Sequence, residues 1–272
     1  ICENLGIPYP KTSIFQSKES LSELSSMTFP ILIKPNKRYD FKEGVFRSLL
    51  LNSIEDYFAK SNILIKLLDR GIELIASELI PGDDTNIYAY VAYRSYNGKI
   101  LNDWIGKKLT QHPNEFGVFS SATNKAPEII RTQGKILLEA MNIYGIAEPE
   151  FKYDQRDNKY KLTEINLRSM MWHRLGNISG VHLQYTQYQD ALGIAVQKEY
   201  QQLKNSIHFV YMKHELLNLI FRKGYFKHFH HNVFGGNIRA FAIYEFQDIK
   251  PFLIDCLDLL KGFISRCLKI FL

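Results

Sequence analysis

The chain has 272 residues, 46% of them apolar and 23% charged, enough for one large or two small domains with real cores and a composition that argues against disorder. Its net charge of +6 suits an anionic ligand such as a nucleotide, but the lysines and arginines are scattered, not gathered into the stripe that nucleic-acid binding needs. Three widely spaced cysteines, Cys2, Cys256 and Cys267, offer neither a disulfide framework nor zinc spacing and predict a reducing, cytoplasmic setting.

The sequence opens at Ile1 without a Met, in mid-pattern, and reads as a fragment. It shows no signal peptide and no uninterrupted apolar run of about 18 residues. Gly6 to Pro10 is a breaker cluster, hence a loop. Residues 17–24 suit a short helix. Residues 29–35, an apolar run between prolines, predict a strand, and 45–51 its return. Between them lies a polar loop, 36–44, with Lys37, Arg38 and Lys42. Ser53 is placed to cap a helix over 54–69, closed by Gly71. Residues 72–80 predict a strand stopped by Pro81-Gly82.

Residues 87–96 and 99–109 flank Asn97-Gly98, a strong hairpin signal. Pro127 suits the start of a helix reaching 144. Residues 148–154 and 159–166 form a second hairpin, and 183–200 a long helix. The mixed order of strands and helices argues for an α+β fold with antiparallel sheets, not a doubly wound one. No Rossmann glycine fingerprint, P-loop or Gly-x-Ser-x-Gly elbow is present.

The second hairpin carries the chemistry. Strand alternation puts Glu148 and Glu150 on one face and Glu164 and Asn166 on one face of the next strand. If Glu150 pairs with Glu164, all four project together. Oxygen donors so crowded repel one another unless a cation joins them, and Mg²⁺ takes such hard ligands together with nucleotide phosphates. A solvated acidic hairpin is the bland alternative. Arg168 stays on the same side if the strand continues, placed to neutralise phosphoryl charge. Lys34 ends an otherwise apolar strand and either snorkels to water or meets an anion.

Glu150, Glu164, Asn166 and Arg168 resemble the magnesium-binding pattern of the ATP-grasp superfamily, a carboxylate or amide followed by Glu-x-Asn-x-Arg. The interval of 14 residues from 150 to 164 is similar to that of carbamoyl-phosphate synthetase ATP-grasp domains. Leu167 stands where the family usually has proline. The resemblance implies an ATP-grasp fold, two α+β subdomains with antiparallel sheets holding ATP between them: a small subdomain over 1–78, a large one over 79–200 and an extension over 201–272 packing on it.

It further implies ATP and Mg²⁺ as cofactors, with Mn²⁺ as a substitute. Glu150, Glu164 and Asn166 would be metal ligands, Lys34 and a loop base, represented by Lys42, phosphate ligands. Arg38 and Arg47 remain alternatives for that base. Residues 78–84 are similar to the adenine-contacting linker strand, with Leu79 and Ile80 reading the base edge and Glu78 or Asp84 near the base amine or ribose.

Residues 107–117 are similar to a segment of the D-aspartate-ligase-like and polysaccharide-locus branches, where Lys108, with Arg168, would be catalytic; a solvated basic turn is the alternative. The implied activity is a carboxylate–amine ligase that activates a carboxylate as an acyl phosphate, with cell-wall or polysaccharide substrates. A non-catalytic ATP-binding or partner-docking module is the alternative. Gly6 to Thr12 looks like the stretch after the family's N-terminal domain, which would be a missing partner.

Three further features are weaker. Trp172 and His173 line an acceptor pocket or pack in the core. His228, His230 and His231 predict a polar surface turn. Residues 251–272 predict an amphipathic helix that packs on the domain or contacts a membrane surface.

Overall fold

A computed structural model describes residues 1–37, 44–114, 117–199, 201 and 205–271, with residues 263–271 in backbone only. The chain divides into two compact units, one comprising Pro8–Pro81 and the other Ile1–Ile7 with Gly82–Leu272.

In the Pro8–Pro81 unit, β1 (Thr12–Phe15), β2 (Ile31–Pro35), β3 (Leu49–Leu51) and β4 (Leu74–Glu78) form an antiparallel sheet in the order β1-β4-β2-β3. Helix α1 spans Ile54–Asp69, the span predicted from the sequence; Asp56 N–H donates to the Ser53 hydroxyl at its start. Its apolar side packs Leu64, Leu67 and Leu68 on Ile31, Ile33, Leu74 and Ala76 of the sheet. The short helix predicted over 17–24 is a 3-10 helix, Glu19–Ser26, anchored by Leu21 and Leu24.

In the larger unit, β5 (Ile87–Arg94), β6 (Ile100–His112), β7 (Val118–Thr123), β8 (Gly145–Asp154), β9 (Lys159–Asn166), β10 (Ile207–Val210) and β11 (Ile238–Phe241) make one sheet. Its order is β11-β10-β7-β6-β5-β8-β9, antiparallel except for the β10–β11 pair. The β5–β6 turn is the predicted Asn97-Gly98 one. Gly98 holds φ +86°, a left-handed conformation that glycine adopts without a Cβ clash.

Helix α2 (Ile129–Ala140) covers one sheet face, packing Ile130, Leu137 and Leu138 on Tyr90, Ile105, Ala147 and Phe151. The other face carries Ala89, Val91, Trp104 and Ile146, under α3 (Arg174–Ile178) and α4 (Leu183–Ala191).

The long helix predicted over 183–200 is not formed. It stops at Ala191 because Gly193 takes φ +68° and closes the end: Gly193 N–H donates to Asp190 O at 3.0 Å and Ile194 N–H to Gln189 O at 3.0 Å. The chain beyond runs beside β6, where Glu199 N–H donates to the Asn102 side chain at 2.7 Å. The helix predicted to 144 likewise ends early, at Ala140, and Gly145 begins β8.

Residues 205–271 do more than pack on a finished domain, since β10 and β11 extend its sheet. They also supply α5 (Met212–Phe221), α6 (Phe226–Phe234) and α7 (Lys250–Phe271). His228, His230 and His231 lie on α6, not on a turn. No helix among the described residues is long and apolar enough to cross a membrane.

Candidate active site

The β8–β9 ladder has the register that aligns the four donors: Glu148 stands opposite Asn166 and Glu150 opposite Glu164. A bulge follows, with Phe151 opposite Leu162. It leaves Thr163 unpaired, and the Thr163 hydroxyl donates to the Glu150 carbonyl at 3.0 Å. Glu148 and Glu150 are buried and Glu164 is exposed. The Asn166 amide N–H donates to Glu164 Oε1 at 3.0 Å, so the amide oxygen keeps its acceptor capacity.

Glu150 is not alone in its pocket. Lys108 from β6 is buried and its Nζ pairs with Glu150 Oε2. Burial pushes the Glu150 carboxyl up to about 7, against the pull of Lys108 and with the push of Glu148 and Glu164. Burial works against the Lys108 charge too, but the carboxylates of Glu150 and Glu148 hold its pKa above the usual lysine value. Lys107, one residue earlier, lies on the opposite face, 5.2 Å from the centre of the Tyr88 ring. The alternation of β6 thus selects Lys108, not Lys107, for the site.

Glu148 is held by two aromatic groups. Trp172 Nε1–H donates to its Oε2 at 2.9 Å and His173 Nε2 meets the same oxygen. Its Oε1 is buried without a hydrogen-bond partner. Trp172 reaches this place because Gly106 leaves the sheet surface open. A Cβ there would lie 2.7 Å from the Trp104 ring and 3.1 Å from the Trp172 ring. Trp172 and His173 are therefore core groups that position a carboxylate, in line with the core reading of Trp172.

The other predicted residues are placed as follows. Strand β9 stops at Asn166, so Arg168 does not follow the strand alternation; it is exposed, its NH1 3.4 Å from Ser169 O. Lys34 is exposed on β2 between buried Ile33 and Pro35, and Arg47 is exposed. Lys42 and Arg38 lie outside the described residues. Glu78 Oε1 accepts from Thr28 N–H at 2.7 Å, and Leu79 N–H donates to Pro30 O at 2.8 Å. Ile80 is buried.

Asp84 is buried and fully engaged. Arg222 binds both its oxygens at 2.9 Å, and Gln111 N–H donates to Oδ2 at 2.6 Å. Nothing in the local pattern pointed to this partner, 138 residues away. Nor did it mark Glu215, a buried carboxylate that accepts from Thr110, Ser120, Ser121, Tyr225 and Asn232. Only a single acidic residue inside an apolar helical stretch could have pointed to it.

Among the described residues no three His, Cys, Asp or Glu side chains gather as a metal site. The donor set at β8–β9 is two carboxylates and an amide, with a buried orphan carboxylate oxygen close in sequence at Glu148. All are hard oxygen donors, which fits Mg²⁺.

The architecture is an ATP-grasp fold, as the sequence resemblance implied. No protein-family model matches the chain. Over 195 residues it is 29% identical to a D-aspartate ligase of Enterococcus faecium, a match covering 67% of this chain and 46% of that protein. The chain therefore spans less than half the length of this curated relative. Among solved structures it is similar to the ADP complex of N5-carboxyaminoimidazole ribonucleotide synthetase, with a TM-score of 0.58 at 15% identity over 80% of this chain and 56% of that one. It is also similar to a Campylobacter jejuni biotin carboxylase solved with a β-γ-ATP ligand, with a TM-score of 0.56 at 12% identity over 75% and 47% of the two chains. At such identities the structural likeness speaks for the fold, and function has to be argued from the site.

Proposed function

We propose that this chain is the ATP-grasp part of an ADP-forming carboxylate–amine ligase. The observation that carries the reading is the cluster of Lys108, Glu150, Glu164 and Asn166, assembled from three strands on one sheet. The similarity to a D-aspartate ligase supports it independently. Glu150, Glu164 and Asn166 would hold Mg²⁺, which when bound neutralises nucleotide phosphate charge. Lys108 pairs with Glu150 and, as the sequence resemblance implies, would approach the γ-phosphate or substrate. Glu148, fixed by Trp172 and His173, adds to the larger effect of Glu150 in favouring the charged form of Lys108.

Lys34 and a base of the 36–44 loop remain the assigned phosphate ligands, Leu79 and Ile80 the adenine-edge contacts with Glu78 near the base amine or ribose, and Arg168 a second catalytic cation. These assignments rest on the sequence resemblance. With both oxygens on Arg222, Asp84 serves the site by fixing the backbone that follows Gly82. An amino-acid carboxylate or amine is the substrate class we favour, in a cell-wall or polysaccharide setting and in the cytoplasm.

Calorimetric titration of ATP with and without Mg²⁺, on the wild type and on Glu164→Gln/Asn166→Ala, tests the site. Mg²⁺-dependent binding that weakens at least tenfold in the double variant is the expected result. Equal binding by a folded double variant would sink the metal assignment. ADP release that rises on adding D- or L-amino acids would separate a ligase from a non-catalytic nucleotide-binding module.

A further inference from the structure

We infer that the α5–α6 hairpin is a docking face for an anionic lipid bilayer. Tyr225, which caps the start of α6, and Asn232 and Val233 on the helix turn inward and are buried. Phe226, His230 and Phe234 recur every fourth residue and form the opposite row. Phe226 is 68% exposed and Phe234 56%. At the end of α5, Ile220 and Phe221 add two more large apolar groups, 55% and 59% exposed. Large apolar side chains so grouped mark a contact surface.

The helix cannot roll to bury them. Tyr225 donates its hydroxyl to Glu215 Oε2 at 3.0 Å, and the Asn232 amide donates to Thr110 at 2.8 Å and Glu215 at 3.2 Å. These bonds tie its inner face to β6 and α5, and turning it would strand a buried carboxylate.

Charge selects the partner. From Leu216 to Tyr244 the sequence contains no Asp or Glu. Lys223 and Lys227 are exposed beside the aromatic row, with His230 and His231. Arg222 is taken by Asp84; Asp83, an exposed acid beside this face near Arg222 and His228, accepts from Thr85 N–H. Aromatic groups among cations with no exposed acid in the segment suit the headgroup region of an anionic membrane, where rings enter the acyl boundary and lysines meet phosphates. The inference does not depend on the ligase reading.

Flotation of the full chain with phosphatidylcholine vesicles, with and without 30 mol% phosphatidylglycerol (a composition chosen for the assay, roughly that giving a strongly negative surface), tests it. Binding should appear with phosphatidylglycerol and fall with salt. Lys223→Glu/Lys227→Glu and Phe226→Ser/Phe234→Ser should each lose about tenfold or more in partitioning. Lys99→Glu/Lys135→Glu, exposed lysines elsewhere with the same change in net charge, should lose little. Unchanged circular dichroism and thermal midpoints would show that the variants fold. No flotation of the wild type, equal loss in the control pair, or retention on RNA or protein but not on vesicles would overturn it.

Discussion

Glu150 stands opposite Glu164 in the β8–β9 ladder and is met from β6 by the buried ammonium of Lys108. Two carboxylates and a lysine thus share one patch of sheet, where Lys108 offsets the repulsion between Glu150 and its acidic neighbours. Removing Lys108 leaves Glu150 buried beside carboxylates with no opposite charge.

Lys108→Met is accordingly expected to destabilise the protein by about 3 kcal/mol at pH 8, because Glu150 would be left buried without its partner. Adding Glu150→Gln to the same chain should recover part of the loss. Urea denaturation of the two single variants and the double variant measures the coupling, and additive losses would mean that the pair does not interact.

The same reasoning applies to Asp84 and Arg222. Arg222→Ala strands a carboxylate that is fully buried and bound bidentately. The expected cost is about 3 kcal/mol, and Arg222→Lys should rescue little because one ammonium cannot make both bonds. Thermal unfolding of the three proteins gives the comparison.

Glu215 accepts from five side chains, so Glu215→Ala would leave several buried donors without an acceptor. A loss of about 3 kcal/mol or more is expected. Glu215→Gln, which keeps the shape and one acceptor oxygen, should cost less. Hydrogen exchange of α5 and α6 should report the local opening.

Asp154 supplies a pH dependence. Hydrogen bonds from Arg156, and then from Lys161, hold its carboxyl well below the usual carboxylate range despite burial. The unfolded chain therefore binds the proton more readily. The contribution is fully present above the unfolded value of about 3.9 and is lost as pH falls below it. Wild type should exceed Asp154→Asn in stability at pH 6, and the gap should begin to narrow as denaturation is repeated below about pH 4, closing only well below pH 3.

The sequence by itself determined the elements whose signals are local. Ser53 and Gly71 bounded α1, Asn97-Gly98 set the β5–β6 turn, and the two-residue period paired Glu148 with Glu150 and Glu164 with Asn166 on each strand, the register between the strands being left to the structure. Cap, turn and alternation depend on neighbours a few residues apart, so they are legible in one dimension. Gly193 carried a local stop signal as well, but the apolar periodicity on either side of it masked the break.

What only the tertiary structure decided is which groups meet across long separations. That Lys108 meets Glu150, that Trp172 and His173 hold Glu148, and that Arg222 closes on Asp84 depends on strand order and on the space left by Gly106. None of these follows from spacing along the chain. Short strands such as β10 and β11, four residues each, were equally hidden, because so brief a stretch has no period of its own and is stabilised by the sheet it joins.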